Sequence, residues 1–169
     1  FLDKYNEPLC KVIAWMDTRA TKEAEYLTAH FDKKDIINKV GFDGIYAIHP
    51  VSKILAVKNK NPEIFEKTRM FAQIKDYFIY RLAGEYYTDH STASDHGFFD
   101  ITNRCYWNEM LEFTGIKEEY LPKLVEPGTE LGTISREAAL EFGLNPETKI
   151  NVGAFDQGCG AIGAGNTKP

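Results

Sequence analysis

Apolar positions along this chain fall into two patterns: a short unbroken run near each end, and helical spacing in between. The run CKVIAWMD (Cys10–Asp17) is brief and continuous, which predicts a buried strand. TRATKEAEYLTAHF follows, rich in helix formers, with Ala20, Ala24, Leu27 and Phe31 near one face. DKKDIINKVG adds another turn or two and stops at Gly41. From Pro50 the chain reads as helical. PVSKILAVKNK sets Val51, Ile54, Leu55 and Lys58 on one side, and Asn61-Pro62 is a start signal for the next helix. AQIKDYFIYRLAGE places Ile74, Tyr77, Phe78, Arg81 and Leu82 at i, i+3, i+4 spacing before Gly84. TDHSTASDHGFFDITNRCYW (88–107) is polar and turn-rich, and predicts irregular chain. WNEMLEFTG and SREAALEFG predict short helices closed by Gly115 and Gly143, the second capped by Ser135. TKINVGAF predicts a strand. The pattern as a whole is an α/β lobe, helix-rich, with a helical insertion between two or three strands at its edges.

Composition narrows the function classes. The chain has 169 residues, 43% of them hydrophobic, enough for one domain, or a lobe and an appendage, with a sizeable core. A net charge of -5 argues against a nucleic-acid or anionic-membrane surface, which needs clustered Lys and Arg. The three cysteines, Cys10, Cys105 and Cys159, are far apart with no CxxC, so neither a disulfide framework nor a structural zinc site is expected and a reducing cytoplasm is the default. No stretch reaches the roughly 18–20 apolar residues of a membrane span, and no signal peptide is visible. The chain opens on Phe1 with a strand-like segment almost at once, which reads as a piece of a longer protein.

The chemistry concentrates in NVGAFDQGCGAIGAG (Asn151–Gly165), which holds five of the 13 glycines and one acid, Asp156. Three readings are open. In one, Gly158, Gly160 and Gly163 let a helix pack closely on a sheet and Asp156 caps it. In another, Gly158-x-Gly160-x-x-Gly163 is a dinucleotide fingerprint, but only six residues follow Gly163, too few for the next strand and its ribose-binding acid. In the third, Asp156 stands at the carboxyl end of a strand, where open α/β sheets bind ligands, and the small residues after it admit substrate or phosphate. A lone base beside a phosphate site suits phosphoryl transfer to an alcohol, which needs the hydroxyl aimed and its proton accepted.

VGAFDQGCGAIGAG resembles the GxxDQxxxAxGAG region of the FGGY carbohydrate kinases. WMDTRA (Trp15–Ala20) is similar to that family's W-x-D-x-R segment. The stretch from PVSKILAVKNKNPE to TDHSTAS resembles its P-x-x-K-x-x-W, N-x-P-E, K-D-Y-x-x-x-x-L-T-G and T-D-x-S-x-A-S motifs, in order. YLPKLVEPGTELG resembles the linking L-P-x-L-x-x-x-G-x-x-x-G. The resemblance implies an RNase H-like, actin-like ATPase fold of two lobes that phosphorylates sugars or polyols with Mg-ATP. Residues 1–169 would be the central and C-terminal part of the N-terminal substrate-binding lobe, lacking the first nucleotide-motif strands and the C-terminal ATP lobe. Asp156 would be the catalytic base. Trp15, Asp17, Arg19 and Gln157 would contact substrate, and Gly158 and Gly160 would lie near phosphate. The substrate it implies first is a ketopentose such as xylulose, with glycerol, gluconate and deoxy-ketoses open. On this reading the chain alone is inactive, and an unpaired sheet edge favours self-association, for example as a homodimer. Phe155 stands where the family commonly has Gly, and Leu55-Ala56-Val57 lacks the family's Trp. The rival from another class is a non-catalytic sugar-binding module.

Asp89, His90, Asp95 and His96 invite a metal reading, but their spacing defines no coordination geometry, and a hydrogen-bonded turn capped by Ser91 and Ser94 is the simpler expectation. His30 and His49 are expected to be surface or satisfied histidines; for Lys53 a reach into the cleft is open, with a solvated surface lysine the simpler expectation.

Overall fold

Some helices begin where a border side chain satisfies a free backbone N–H, and several end at a left-handed glycine. In a computed structural model, residues 1–166 are described, so the last three positions of the 1–169 span lie outside the described residues. In chain order the elements are α1 (Thr21–His30), α2 (Lys33–Val40), α3 (Pro50–Lys60), α4 (Pro62–Lys67), α5 (Ile74–Ala83), β1 (Tyr87–Asp89), α6 (His90–Ala93) and β2 (Phe99–Asp100). They continue with β3 (Cys105–Tyr106), α7 (Asn108–Thr114), β4 (Lys123–Val125), β5 (Glu130–Thr133), α8 (Arg136–Phe142), β6 (Lys149–Asn151) and α9 (Asp156–Gly163). Asp32 caps α2 by accepting the Lys34 N–H, and Gly41 ends it at φ +81°. Ser135 caps α8 through the Ala138 N–H. Among the described residues no helix is long and apolar enough to cross a membrane.

The chain packs as two compact units, Phe1–Phe71 with Ser94–Leu121, and Ala72–Ala93 with the stretch from Pro122. In the first, α1 packs on α3 and α2 on β2, which pairs antiparallel with β3 in the register Phe99↔Tyr106. Leu27, Ile36, Val40, Val51, Phe99 and Met110 are buried there. Each such side chain contributes about 1.5–3 kcal/mol on leaving water. His49 is buried as well. Its Nδ1 accepts the Tyr46 N–H, and burial, with Lys53 nearby, pushes the imidazole down to about 4, so it is neutral. Gly97 sits over it at φ +77°, where a Cβ would come within 2.7 Å of Val51 Cγ1.

In the second unit β1 pairs parallel with β4 and β5 antiparallel with β6. Ile134, Ala138, Ala139 and Ile150 form its core cluster, with Leu82, Ala83 and Leu131 packed against it.

Four sequence expectations are corrected. The strand predicted over Cys10–Asp17 does not form: the segment is irregular, with a turn closed by the Asp17 N–H on the Ala14 carbonyl, and Val12, Trp15 and Met16 are exposed. A strand exists only against a partner, and no described strand pairs with this run. The region 88–107 is more ordered than its polarity suggests and carries β1, α6, β2 and β3. The described strands are six and short, in three two-stranded sheets, rather than two or three at the edges. Lastly, α5 buries Asp76 and Ile79 and exposes Ile74 and Phe78, a face rotated from the apolar one. A capping box closes the start of α5, in which Asp76 accepts the Gln73 N–H at 2.9 Å.

Candidate functional site

In the first unit, the loop Ala14–Arg19 is held by Lys53 of α3. The ammonium donates to the carbonyls of Ala14 (2.6 Å) and Trp15 (2.8 Å), and the residue is only 8% exposed. Burial lowers its pKa, and the carboxylates of Asp17 and Asp95 oppose that. This corrects the expectation of a solvated lysine: two carbonyls that a strand would have paired are satisfied by one side chain. Asp17 accepts from the Arg19 backbone N–H (2.9 Å) and from Arg19 Nε (2.8 Å) and Nη2 (2.5 Å). The Arg19 guanidinium, closest through these hydrogen bonds, holds the carboxyl at about 2, so it is a fixed anion at neutral pH. Trp15 is 71% exposed. An apolar groove of about 610 Å³ runs between α1 and Ile45–Ile48 in the same unit. Trp15, Asp17 and Arg19 do not line it; Thr18, Thr21 and Thr28 do.

In the second unit, β6 ends at Asn151, Val152 is buried, Gly153 turns the chain at φ +73°, and α9 begins at Asp156. Asp156 thus follows the carboxyl end of a strand. It is exposed, and its Oδ1 accepts the Gln157 N–H at 2.8 Å. Phe155, not Asp156, is the N-cap, which corrects the capping role open to that acid in the packing reading. Among the described residues the glycines show no such packing either: none of α9 is buried, and a Cβ at Gly158, Gly160 or Gly163 would meet no described atom within 4 Å. Gln157 is exposed beside the acid.

The turn before Asp156 is tied down by a network that spacing did not reveal. The Phe155 N–H donates to Ser91 Oγ at 2.9 Å. Ser91 Oγ in turn donates to Asp89 Oδ1, and Asp89 is fully buried and ion-paired with Lys75. Ser91 closes the turn expected of it, its N–H on Asp89 Oδ1 at 2.9 Å, but its hydroxyl also reaches a residue 64 positions on, a separation no local pattern signals. Asp89 and His90 lie in the second unit and Asp95 and His96 in the first. Among the described residues no three His, Cys, Asp or Glu gather as a metal site.

Residues 1–163 match the model of the N-terminal domain of the FGGY family of carbohydrate kinases. The chain belongs to that family. It is 34% identical over 166 residues to the xylulose kinase of Bacillus subtilis (strain 168), an alignment covering 97% of the chain and 32% of that protein. It is 32% identical to the gluconokinase of the same strain, over 92% of the chain and 30% of that protein. The structure superposes on a xylulose kinase from Lactobacillus acidophilus with a TM-score of 0.89 at 30% identity, over 97% of this chain and 33% of that one. A xylulose kinase from Rhodospirillum rubrum gives 0.92 at 25% identity, over 99% and 34%. The fold of this FGGY chain is therefore RNase H-like, of the actin-like ATPase kind, helix-rich with small sheets. The chain spans about a third of the length of the curated relatives it matches.

Proposed function

We propose that this FGGY chain is the substrate-lobe part of an ATP-dependent carbohydrate kinase that transfers the γ-phosphoryl group to a sugar or polyol hydroxyl. A ketopentose such as xylulose is the first candidate substrate, on the names of the relatives at 34% and 32% identity. The observation that carries the reading is Asp156: an exposed carboxylate in the first turn after a strand end, followed by glycines that face open space. A substrate hydroxyl can reach such a group without displacing any side chain.

In this reaction Asp156 accepts the hydroxyl proton as the oxygen bonds to phosphorus and the bond to the departing diphosphate breaks. Mg-ATP supplies the phosphoryl group. Gly158 and Gly160 leave the backbone of α9 bare on the side where phosphate would approach. Trp15 offers an apolar face to the sugar's C–H side, and Asp17, Arg19 and Gln157 offer partners to its hydroxyls. The salt bridge to Arg19 orients Asp17 as an acceptor.

The test is a phosphorylation assay with a panel of sugars on the full-length kinase that carries this chain, against its Asp156→Asn variant. The variant is expected to lose about 10²–10⁴-fold in kcat, the range of general-base catalysis, with KM for the best sugar changed less than about threefold. A variant with near-native kcat removes Asp156 from the role of base.

A further inference from the structure

The order of donors and acceptors in the network behind Asp156 is fixed by chemistry. Hydrogen bonds and an ion pair converge on Asp89, which ends β1 and is fully buried. Its Oδ2 takes the Lys75 ammonium and the Thr92 hydroxyl (2.7 Å), and Lys75 Nζ also reaches Thr92 Oγ1 at 2.7 Å. Its Oδ1 takes the backbone N–H groups of Ser91 (2.9 Å) and Thr92 (3.1 Å), and the Ser91 hydroxyl. An ionised carboxylate only accepts, so the single proton of Ser91 Oγ points at Asp89. The oxygen of Ser91 is then left as an acceptor, and the amide that fills it is Phe155 N–H at 2.9 Å.

Phe155 is the N-cap of α9, extended at φ -62°, ψ 132°, and Asp156 is the next residue. Because α9 buries none of its own side chains, its first turn takes its direction from what holds the residues before it. Four backbone ties do so: the Val152 N–H donates to Thr129 O at 3.0 Å, the Gly153 N–H to Asn151 Oδ1 at 2.8 Å, the Gly128 N–H to Gly153 O at 2.9 Å, and the Phe155 N–H to Ser91 Oγ at 2.9 Å. The last lies one residue from the carboxylate.

We propose that Ser91, oriented by the Lys75–Asp89 pair, is a positioning residue for the base: through the Phe155 amide it sets where the Asp156 carboxylate stands. The inference rests on Asp156 acting as the base. The effect is on geometry, and a misplacement of about 1 Å in a reacting group can cost on the order of 10²-fold in rate.

The experiment is steady-state kinetics on the full-length kinase with Ser91→Ala, Ser91→Thr, Asp156→Asn and the Ser91→Ala/Asp156→Asn double variant. Ser91→Ala is expected to lower kcat by about 10–100-fold, with KM for sugar and for ATP within about twofold. Ser91→Thr, which keeps the hydroxyl, is expected to restore kcat to within about threefold of wild type. In the Asp156→Asn background Ser91→Ala is expected to change the residual rate by less than about twofold, because a residue acting through the base has nothing left to position. Should Ser91→Ala not fold, Ser91→Cys, with similar packing and a weak acceptor, carries the same expectation. Native kcat in Ser91→Ala, equal losses in the Ala and Thr variants, or an undiminished loss in the double variant overturns the inference. If Asp156→Asn is inactive while Ser91→Ala is native, the positioning role alone falls. If Asp156→Asn is active, the base and the positioning role fall together.

Discussion

Asp76 and Asp89 are both buried in the second unit, yet their environments drive them in opposite directions. For Asp89 burial pushes the pKa up, but the Lys75 ammonium and the hydroxyls of Ser91 and Thr92 outweigh it and hold the carboxyl at about 2. For Asp76 burial dominates, the Gln73 N–H compensates only partly, and the carboxyl rises to about 6. Stability follows with opposite signs. Asp89, below its unfolded value of 3.8, contributes stability that is present above that value and is lost as pH falls toward 2. Asp76, above 3.8, is best accommodated when protonated, so its contribution is full at low pH and lost as pH rises through 6. Asp76→Asn keeps an acceptor for the Gln73 N–H and removes the charge. Its Tm relative to wild type is therefore expected to rise between pH 4 and pH 7, read by thermal denaturation across that window. A difference that stays flat with pH would show that Asp76 does not titrate there. None of this was legible in the sequence, where Lys75-Asp76 is merely a pair of adjacent helix residues that do not face each other. Lys75 finds its partners on β1 and α6, and Asp76 accepts from Gln73 at the start of its own helix.

At the scale of elements, what the sequence revealed was local chemistry. The ends of α2, α5, α7 and α8 follow from Asp32, Ser135 and the glycines at 41, 84, 115 and 143, because capping is settled within a few residues. Strands of two to four residues leave no readable period, so β1 to β5 were invisible. The run at Cys10–Asp17 has strand composition but no partner, and the Lys53 ammonium does for its carbonyls what a ladder would have done. The candidate site was legible as residues and not as geometry: Asp156, Trp15 and Asp17 stand out by type, whereas their supports, Ser91 and Lys53, do not. The glycines of α9 turn this into a measurable trade. Each costs about 1 kcal/mol relative to Ala in a helix, and no packing contact in the structure offsets it, since a methyl at Gly158 or Gly160 would stand in open space. Gly160→Ala is thus expected to stabilise the 169-residue chain by up to about 1 kcal/mol in denaturant unfolding, and in the full-length kinase it tests the phosphate path. If phosphate passes beside α9, the same variant raises KM for ATP severalfold while KM for sugar stays unchanged. Unchanged kinetics in a stabilised variant would remove Gly160 from the phosphate path.

At the scale of the molecule, the chain passes between its two units three times, at 71–72, 93–94 and 121–122. Trp15, Asp17 and Arg19 belong to one unit, Asp156 and Gln157 to the other. A kinase must also keep water from the phosphoryl group, since water competes with the sugar hydroxyl as acceptor, and exclusion requires walls on every side of the reacting atoms. Here Asp156, the proposed base, is exposed on a helix with no buried residue among those described, and Trp15 is 71% exposed. Relatives that carry the family's kinase names are about three times as long as this chain. A general base with no excluded site around it offers a hydroxyl little beyond what solvent offers. The 169-residue chain alone is accordingly expected to show no sugar-dependent ATP turnover above its own Asp156→Asn variant, in a coupled ADP-release assay with xylulose, gluconate and glycerol as acceptors. Turnover that needs both sugar and an intact Asp156 would mean that this third of the kinase length already binds and aligns ATP, and would move the nucleotide site onto the residues described here.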